Sequence, residues 1–488
     1  MKFSKRIACA LLACLFLISC LASCNGGNGG GEEETTEYTD IISIDSEENP
    51  QIPSKDYGEY DFTFIHQEGL AYNIEYLMSD GESEDVMLSA IYKRNTAVED
   101  KYNINIAEYK VTDVVGEVRS QIMAGMPEFD VILASCKNQA TLAREGLLYN
   151  LLDVEWFDMT KSYWDKNAAT ELKFGDKLFF TNCDLNAMEI AFLLYFNKQL
   201  IEDYQLTSPY EYIANNEWTL DNFGKLMKAV SRDMDNSGTF TELDQYGSIY
   251  EHDNARLLMY GCGIRTTTND ATGYPTLTLM SDKTVDVYEK IKDIYSDPNT
   301  YFCATCATGL DPHGFTHRWN YLRYLFTQDL YLFHFQADGA LDQFADMEHE
   351  FGMVPVPKYD SAQERYYSTY PYLDNLFALP SIIEDVDRTG RIVEDMNYYS
   401  SIITIPTWFE TILQRKYTRD DESEECIKII KDSRTYDIGL YFDFGGVRSK
   451  ILDVDITKGN ISTNYAKLKK AIEVDIQDTW EKFQASNG

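Results

Sequence analysis

The chain has 488 residues, too many for one ordinary hydrophobic core, so we expect two or three domains. Hydrophobic residues make up 44% and charged residues 25%, a globular composition that excludes wholesale disorder. The formal net charge of −37 repels phosphate backbones, so we expect no nucleic acid among the partners. Beyond the N-terminus, no run approaches the roughly 20 apolar residues that a membrane span needs.

The N-terminus has the features of a secretion signal, with three basic residues among the first six and an apolar run over residues 7–18. The run leads into Leu21-Ala22-Ser23-Cys24, which resembles the lipobox of bacterial lipoproteins, where a peptidase cuts before a cysteine that carries lipid. We predict a signal peptide over 1–23 and lipidation of Cys24, with palmitate among the acyl chains. Cleavage before Cys20 and an ordinary signal peptide are the alternatives.

Residues 24–58 are predicted to form a lipidated, acidic and glycine-rich tether. After its glycines the segment has nine acidic residues against one lysine, Lys55, so it repels itself and is expected to bury nothing. Two acyl chains are about what stable anchoring takes. We therefore expect an extracytoplasmic protein that is lipid-anchored to the cell membrane.

From residue 62 onward, short β-rich runs alternate with helical stretches. This rhythm favours an α/β fold with mostly parallel sheets flanked by helices, in which ligands sit beyond the carboxyl ends of the strands. The predicted strands are 62–65, 104–109, 129–133, 192–196, 246–250, 331–335 and 351–356, and the predicted helices are 86–102, 114–123, 140–145, 220–231, 282–295 and 341–347.

Five segments resemble the sugar-type extracellular solute-binding proteins of ABC importers, with a likeness that runs from about residue 58 to the C-terminus. They are AGMPEFDVI at 124–132, LAREGLLYNLL at 142–152, KLFF at 177–180 with LYFNK at 194–198, EWTLDNF at 217–223 and FGMVPVPK at 351–358. The resemblance implies a two-lobe, periplasmic-binding-protein-like (type II) fold joined by a hinge. It places lobe 1 at 59–186 plus about 372–432, and lobe 2 at 187–371 plus about 433–488.

The same resemblance implies a monomer that captures a carbohydrate or oligosaccharide by hinge closure and delivers it to the membrane subunits of an ABC permease. Sugars present an apolar face and a rim of hydroxyls, so their sites combine flat aromatic rings with carboxylate or amide groups. The resemblance places candidate ligand-binding residues on the loops that face the cleft. These are Glu68, Tyr72, Ser135, Glu189, Gln336 and Asp338. Relatives often carry a stacking tryptophan after the strand 331–335; this sequence lacks it there, and Trp319, Trp408 or Tyr372 is the candidate to replace it.

Two other classes of function stay open. The sequence has no GxxxxGK[ST] loop, no GxSxG elbow and no HExxH helix, so we expect no enzyme. A glycan-active hydrolase needs only a carboxylate pair about 5 to 9.5 Å apart, and 80 acidic residues offer many pairs. A ligand-sensing or adhesive lipoprotein is the other alternative.

Cys303 and Cys306, followed by His313 and His317, have donor types that suit zinc. The gap between Cys306 and His313 is shorter than in zinc fingers, so free thiols, a strained local disulfide or a histidine pair in the ligand loop stay open as well.

The segment 233–244 matches the twelve-residue pattern of a calcium loop. Oxygen donors stand at positions 1, 3 and 5, a glycine stands at position 6, and an acidic residue closes position 12. We predict a structural calcium ion in a loop between a helix and a strand; an Asx-rich turn without metal is the alternative. The predicted ligands are Asp233, Asp235, Ser237, Thr239 (through its backbone carbonyl) and Asp244.

Overall fold

A computed structural model describes residues 47–68, 77–186, 191–251, 253–304, 314–315, 318–337, 344, 347–409 and 421–485. The strands, in chain order, are β1 Tyr60–Gln67, β2 Ile104–Val111, β3 Val131–Ser135, β4 Phe180–Thr181, β5 Phe192–Asn197, β6 Tyr246–Tyr250, β7 Thr267–Asn269, β8 Pro275–Leu277, β9 Tyr301–Cys303, β10 Tyr331–Ala337, β11 Phe351–Val354, β12 Ser368–Thr369, β13 Asn375–Ala378 and β14 Arg434–Thr435.

The helices surround these strands. They are α1 Val86–Tyr102, α2 Val114–Ala124, α3 Cys136–Arg144, α4 Lys166–Glu171, α5 Lys198–Asp203, α6 Pro209–Ala214, α7 Leu220–Val230, α8 Asn254–Gly261, α9 Asp282–Ile294, α10 Arg318–Phe326, α11 Val386–Tyr399, α12 Ile405–Thr407, α13 Asp421–Asp432, α14 Ile438–Phe442 and α15 Ile461–Ala485.

The first sheet has five strands in the order β2-β1-β3-β13-β4. Strand β1 pairs in parallel with both neighbours, whereas β13 is antiparallel to β3 and to β4. Four of the strands therefore run in one direction and only β13 is reversed. The helices α1, α2 and α3 pack on this sheet.

The second sheet repeats this plan in the order β9-β6-β10-β5-β11. Strands β9, β6 and β10 are parallel, and β5 is antiparallel to both β10 and β11, so one strand is again reversed. Helices α7, α10 and α13 pack on its strands. The two sheets confirm the predicted α/β fold with two lobes that are mostly parallel sheets flanked by helices.

Local chemistry sets the boundaries of these elements. Helix α1 begins after Asp85, whose carboxylate accepts hydrogen bonds from the backbone N–H groups of Met87 and Leu88, and it ends where Asn103 takes the left-handed conformation. Strand β3 is buried along its whole length, as expected for a continuous apolar run inside a sheet. Position 247 in β6 requires glycine, because the Cβ of any other residue would lie 2.4 Å from the Met227 backbone of α7.

The predicted strands and helices agree with the structure to within a few residues where the structure describes them. Most of the predicted helix 341–347 lies outside the described residues, as do the signal peptide, Cys24 and the first part of the predicted tether. Among the described residues, no helix is both long enough and apolar enough to span a membrane.

Residues 47–58 pack on the first lobe, although they were predicted to belong to a tether that buries nothing. Ile52 is only 4% exposed, and the Lys55 ammonium lies 2.9 Å from the Asp387 carboxylate of α11. Since the sequence pattern of this segment is dominated by its acidic residues, the single buried isoleucine gave no signal.

The helices after residue 400 contact both lobes. Helix α13 packs on β11 of the second sheet, although its residues were predicted to belong to lobe 1. The last helix, α15, contacts α3 beside the first sheet and α9 beside the second. The exact lobe boundaries stay predictions.

Candidate functional site

A cavity of about 380 Å³ lies at the carboxyl ends of the parallel strands β6 and β10 of the second sheet, and the segment before β13 of the first sheet completes its wall. Strands β6 and β10 end at this cavity, and the reversed strand β5 begins there. The segment that leads into β13 also lies at the cavity. This is the edge at which ligands bind in open α/β sheets. The lining residues are Phe192, Glu251, Asp253, Asn254, Leu257, Trp319, Arg323, Phe335, Gln336, Ala337, Pro371, Tyr372, Leu373 and Asp374.

Aromatic rings supply much of the apolar wall. Trp319 comes from α10, Tyr372 from the segment before β13, and Phe192 and Phe335 from strand ends. Rings of this kind offer a flat apolar surface, and the indole and phenol add a polar edge. The wall is therefore suited to a ligand that is apolar on one side and hydroxylated at its rim.

Two guanidinium groups hold the ring of Tyr372. The centre of the Arg448 guanidinium lies 4.3 Å from the ring centroid and that of Arg256 lies 5.6 Å away. Both arginines pair with Asp453, at 3.0 Å for Arg448 and 2.7 Å for Arg256. Because these contacts come from α8 and from the segment before α15, the ring is fixed before any ligand arrives.

A hydrogen-bonded chain orients the amide of Gln336. Arg323 donates from Nε and Nη2 to Gln336 Oε1, over 3.3 and 3.0 Å, and Gln336 Nε2 lies 3.1 Å from His334 Nε2. Burial lowers the pKa of His334 to about 3, with the Arg323 guanidinium as the second cause. The imidazole is therefore neutral, its Nε2 accepts from the amide, and the orientation of the Gln336 side chain is set.

Glu251 is the acidic group at the end of β6, and it is only 8% exposed. Its Oε2 lies 3.9 Å from Arg318 Nη2, which is beyond hydrogen-bonding distance, and its Oε1 has no hydrogen-bond partner among the described residues. Burial, followed by the charge of Asp253, raises the pKa of Glu251 to about 9. A ligand group placed at Oε1 would satisfy this carboxyl.

The structure brings three of the predicted ligand residues, Trp319, Gln336 and Tyr372, together around the cavity. It does not bring three others there. Ser135 caps α3 by accepting from the Asn138 N–H, and Glu68 is exposed at the end of β1.

Trp408 is the third predicted ligand residue that does not line the cavity, because it is buried in the core with Ile427 and the ring of Phe409. Tyr72, Glu189 and Asp338 lie outside the described residues. So do Cys306, His313 and His317 of the possible zinc pattern.

Sequence reasoning missed the charged residues Glu251, Asp253, Arg323 and Asp374. A signal for Glu251 was present, because it directly follows the correctly predicted strand 246–250 and so stands at a carboxyl end. No comparable signal exists for Arg323, which lies inside α10 and reaches the cavity only through the packing of that helix on β10.

The predicted calcium loop joins α7 to β6, as expected from the sequence. Carboxylate oxygens of Asp233, Asp235 and Asp244 all lie within 4.8 Å of one another. Calcium–oxygen distances are about 2.3–2.6 Å, so oxygens spaced in this way can all reach one central ion.

Backbone N–H groups of the loop donate hydrogen bonds to these carboxylates. Gly238 donates its N–H to Asp233 over 2.7 Å, and Ser237 donates to Asp235 over 2.9 Å. Hydrogen bonds from Ser237 lower the pKa of Asp235, which keeps it ionised. Asp244 Oδ2 accepts from Thr241, so a calcium ion would share this group with the loop. The donor set of hard oxygens fits calcium.

No protein-family model matches the sequence, and no curated protein matches it. Solved structures match its fold. An ABC substrate-binding protein from Listeria monocytogenes in complex with cycloalternan has 13% identity and a TM-score of 0.51, over 88% of this chain and 100% of that one.

Two further structures match over the same 88% of this chain and 100% of their own length. The maltose-binding periplasmic protein of Listeria monocytogenes in complex with maltose has 11% identity and a TM-score of 0.54. A sugar transporter from Rhizobium etli in an open conformation has 12% identity and a TM-score of 0.53. The chain therefore has the two-lobe fold of these solved proteins.

Proposed function

We propose that this protein is the substrate-binding component of an ABC importer and captures a carbohydrate or oligosaccharide without cleaving it. The observation that carries the proposal is the cavity between the two lobes, where aromatic rings alternate with carboxyl, amide and guanidinium groups. The fold supports it as well, because structures with this fold were solved with cycloalternan and with maltose.

Capture works by movement of the lobes about the segments that join them. The cavity is lined by residues of the second lobe and by the segment 371–374, which leads into β13 of the first sheet, so a sugar held there would contact both lobes at once. Those contacts form fully only when the lobes are closed, and the difference in contact drives closure. The closed form then docks on the permease subunits in the membrane.

We further propose that the mature chain begins at Cys24 and that diacylglycerol on this residue anchors an extracytoplasmic body. The supporting feature is the lipobox-like Leu21-Ala22-Ser23-Cys24. Mass spectrometry of the mature N-terminus tests this. A start at Cys20 or an unmodified Cys24 would contradict it.

A structural calcium ion in the loop 233–244 is the third proposal, and the three clustered carboxylates support it. An ion that binds only the folded state raises the melting temperature. We expect calcium to stabilise the native protein relative to chelator, and Asp233→Ala combined with Asp235→Ala to remove the difference. Asp297→Asn, at an exposed aspartate that is not part of the loop, is the matched control. Equal melting temperatures in calcium and in chelator would contradict the calcium site and indicate an Asx-rich turn that binds no metal.

The proposed function is tested by thermal shift with a panel of mono- and oligosaccharides that includes maltose and maltotetraose. At least one uncharged sugar should raise the melting temperature. The sugar should be recovered intact from the mixture by mass spectrometry. Turnover of a glycan at enzyme rates would replace the proposal with a hydrolase.

A further inference from the structure

We propose that Glu251 meets the sugar as an uncharged carboxylic acid and donates its proton to a sugar oxygen. The inference rests on the proposed sugar-binding function and specifies how one group of the site recognises its ligand. An ionised carboxylate would instead only accept hydrogen bonds.

The geometry around Glu251 disfavours the ionised form. The side chain is 8% exposed, Oε1 has no hydrogen-bond partner among the described residues, and Arg318 stays 3.9 Å from Oε2. An ionised carboxylate that is buried with one oxygen unpartnered loses much of its solvation, and this favours uptake of a proton.

The charged and titratable groups that face Glu251 come from three neighbouring elements. Asp253, just before α8, lines the same cavity and opposes a second negative charge. Cys303 on β9 acts in the same direction. Arg318 and Arg323 on α10 act in the opposite direction, but Arg323 directs its guanidinium at Gln336. Burial and the acidic neighbour outweigh the arginines.

An uncharged Glu251 presents one O–H donor and one carbonyl acceptor at the cavity wall. A sugar hydroxyl both donates and accepts, and a ring or glycosidic oxygen accepts, so an uncharged sugar satisfies both carboxyl oxygens. A ligand ammonium group would have to displace the proton of Glu251. The recognised class is therefore an uncharged sugar at this position.

Protonation of Glu251 is tested without any ligand, through the melting temperatures of the native protein and of Glu251→Gln between pH 5 and pH 8.5. The unfolded glutamate loses its proton above its ordinary pKa, whereas the folded one keeps it to about pH 9, so the native protein loses stability as the pH rises. The amide cannot ionise. The quantity to compare is the melting temperature of Glu251→Gln minus that of the native protein. This difference should be about 5 °C larger at pH 8.5 than at pH 5.

Glu211→Gln, at an exposed residue of α6, is the matched control and should track the native protein at each pH. A difference between Glu251→Gln and the native protein that stays constant with pH would overturn the protonated state.

Contact with the sugar is tested by calorimetry, using maltose and maltotetraose as probes. The affinity of the native protein should fall about tenfold from pH 7 to pH 10, as the proton is lost. Glu251→Gln keeps a donor and an acceptor, so it should bind within about threefold of the native protein at pH 7 and show no such fall. Glu251→Ala should bind at least about tenfold more weakly at both pH values.

The outcomes separate the two claims. An affinity that does not change with pH, together with a pH-dependent melting difference, would show an uncharged Glu251 that does not touch the sugar, and would overturn the contact. If neither probe nor any other sugar binds, the proposed function falls, and the contact falls with it. The melting experiment still decides the protonation state in that case.

Discussion

Asp437→Asn should destabilise the protein far more than a change of one atom suggests. The carboxylate is almost fully buried at the start of α14. Its Oδ1 accepts from Thr266 Oγ1 at 2.6 Å and from the Gly439 N–H at 2.8 Å. Its Oδ2 accepts from Tyr260 Oη and from the Thr266 N–H, both at 2.6 Å.

The magnitude follows from these contacts. An asparagine amide must point its NH₂ at one of the two donor sets, so at least one backbone N–H faces another donor. Hydrogen bonds to charged groups contribute about 1.5–3 kcal/mol each, and a buried unsatisfied donor costs about 1–3 kcal/mol more. We expect a loss of about 3–5 kcal/mol in the free energy of unfolding.

Urea unfolding followed by circular dichroism at pH 7 measures this loss. Asp297→Asn is the matched control, because Asp297 is exposed and its Oδ1 accepts from the Asn299 N–H, a bond that asparagine also makes. The control should change stability by less than about 0.5 kcal/mol. A loss for Asp437→Asn no larger than that of the control would refute the reasoning.

Two further predictions concern pH. Because burial lowers the pKa of His334 to about 3, its ring resonances should not titrate between pH 5 and pH 8 in NMR spectra, and a midpoint near 6.5 would contradict the buried, amide-bonded ring. Burial raises the pKa of Glu394 to about 7 in the folded protein. The unfolded chain therefore loses this proton at a lower pH than the folded protein does, and the native protein loses stability as the pH rises from about 4.5 to 7. The unfolding free energy of the native protein relative to Glu394→Gln should fall by about 3 kcal/mol between pH 4.5 and pH 8 in urea titrations, and a constant difference would argue against the buried, protonated group.

Much of the fold could be predicted from the sequence, because long apolar runs and helical periodicity are local signals. The helix 86–102 and the strand 246–250 agree with the structure to the residue. The short strand β13 escaped, since four residues carry little periodicity, and its place in the first sheet depends on pairing with β3 far along the chain.

The site was predictable where it follows strand ends and unpredictable where packing creates it. Gln336 was found because it directly follows the predicted strand 331–335. Trp408 was chosen for its residue type, but the helical segment around it turns the ring into the core. Arg256, which fixes Tyr372, is a buried charge whose partner Asp453 is almost 200 residues away, and no local pattern reports such a pair.

Calorimetry of the native protein and of Trp319→Ala, with the sugar that raises the melting temperature most, tests the central claim most directly. The native protein should bind one sugar per chain. Loss of the indole from the cavity wall should weaken binding at least about tenfold, or about 1.4 kcal/mol. Trp480→Phe, whose ring packs against Gly175 and does not line the cavity, should bind as the native protein does. Equal affinities for the native protein and Trp319→Ala would contradict a sugar site in this cavity.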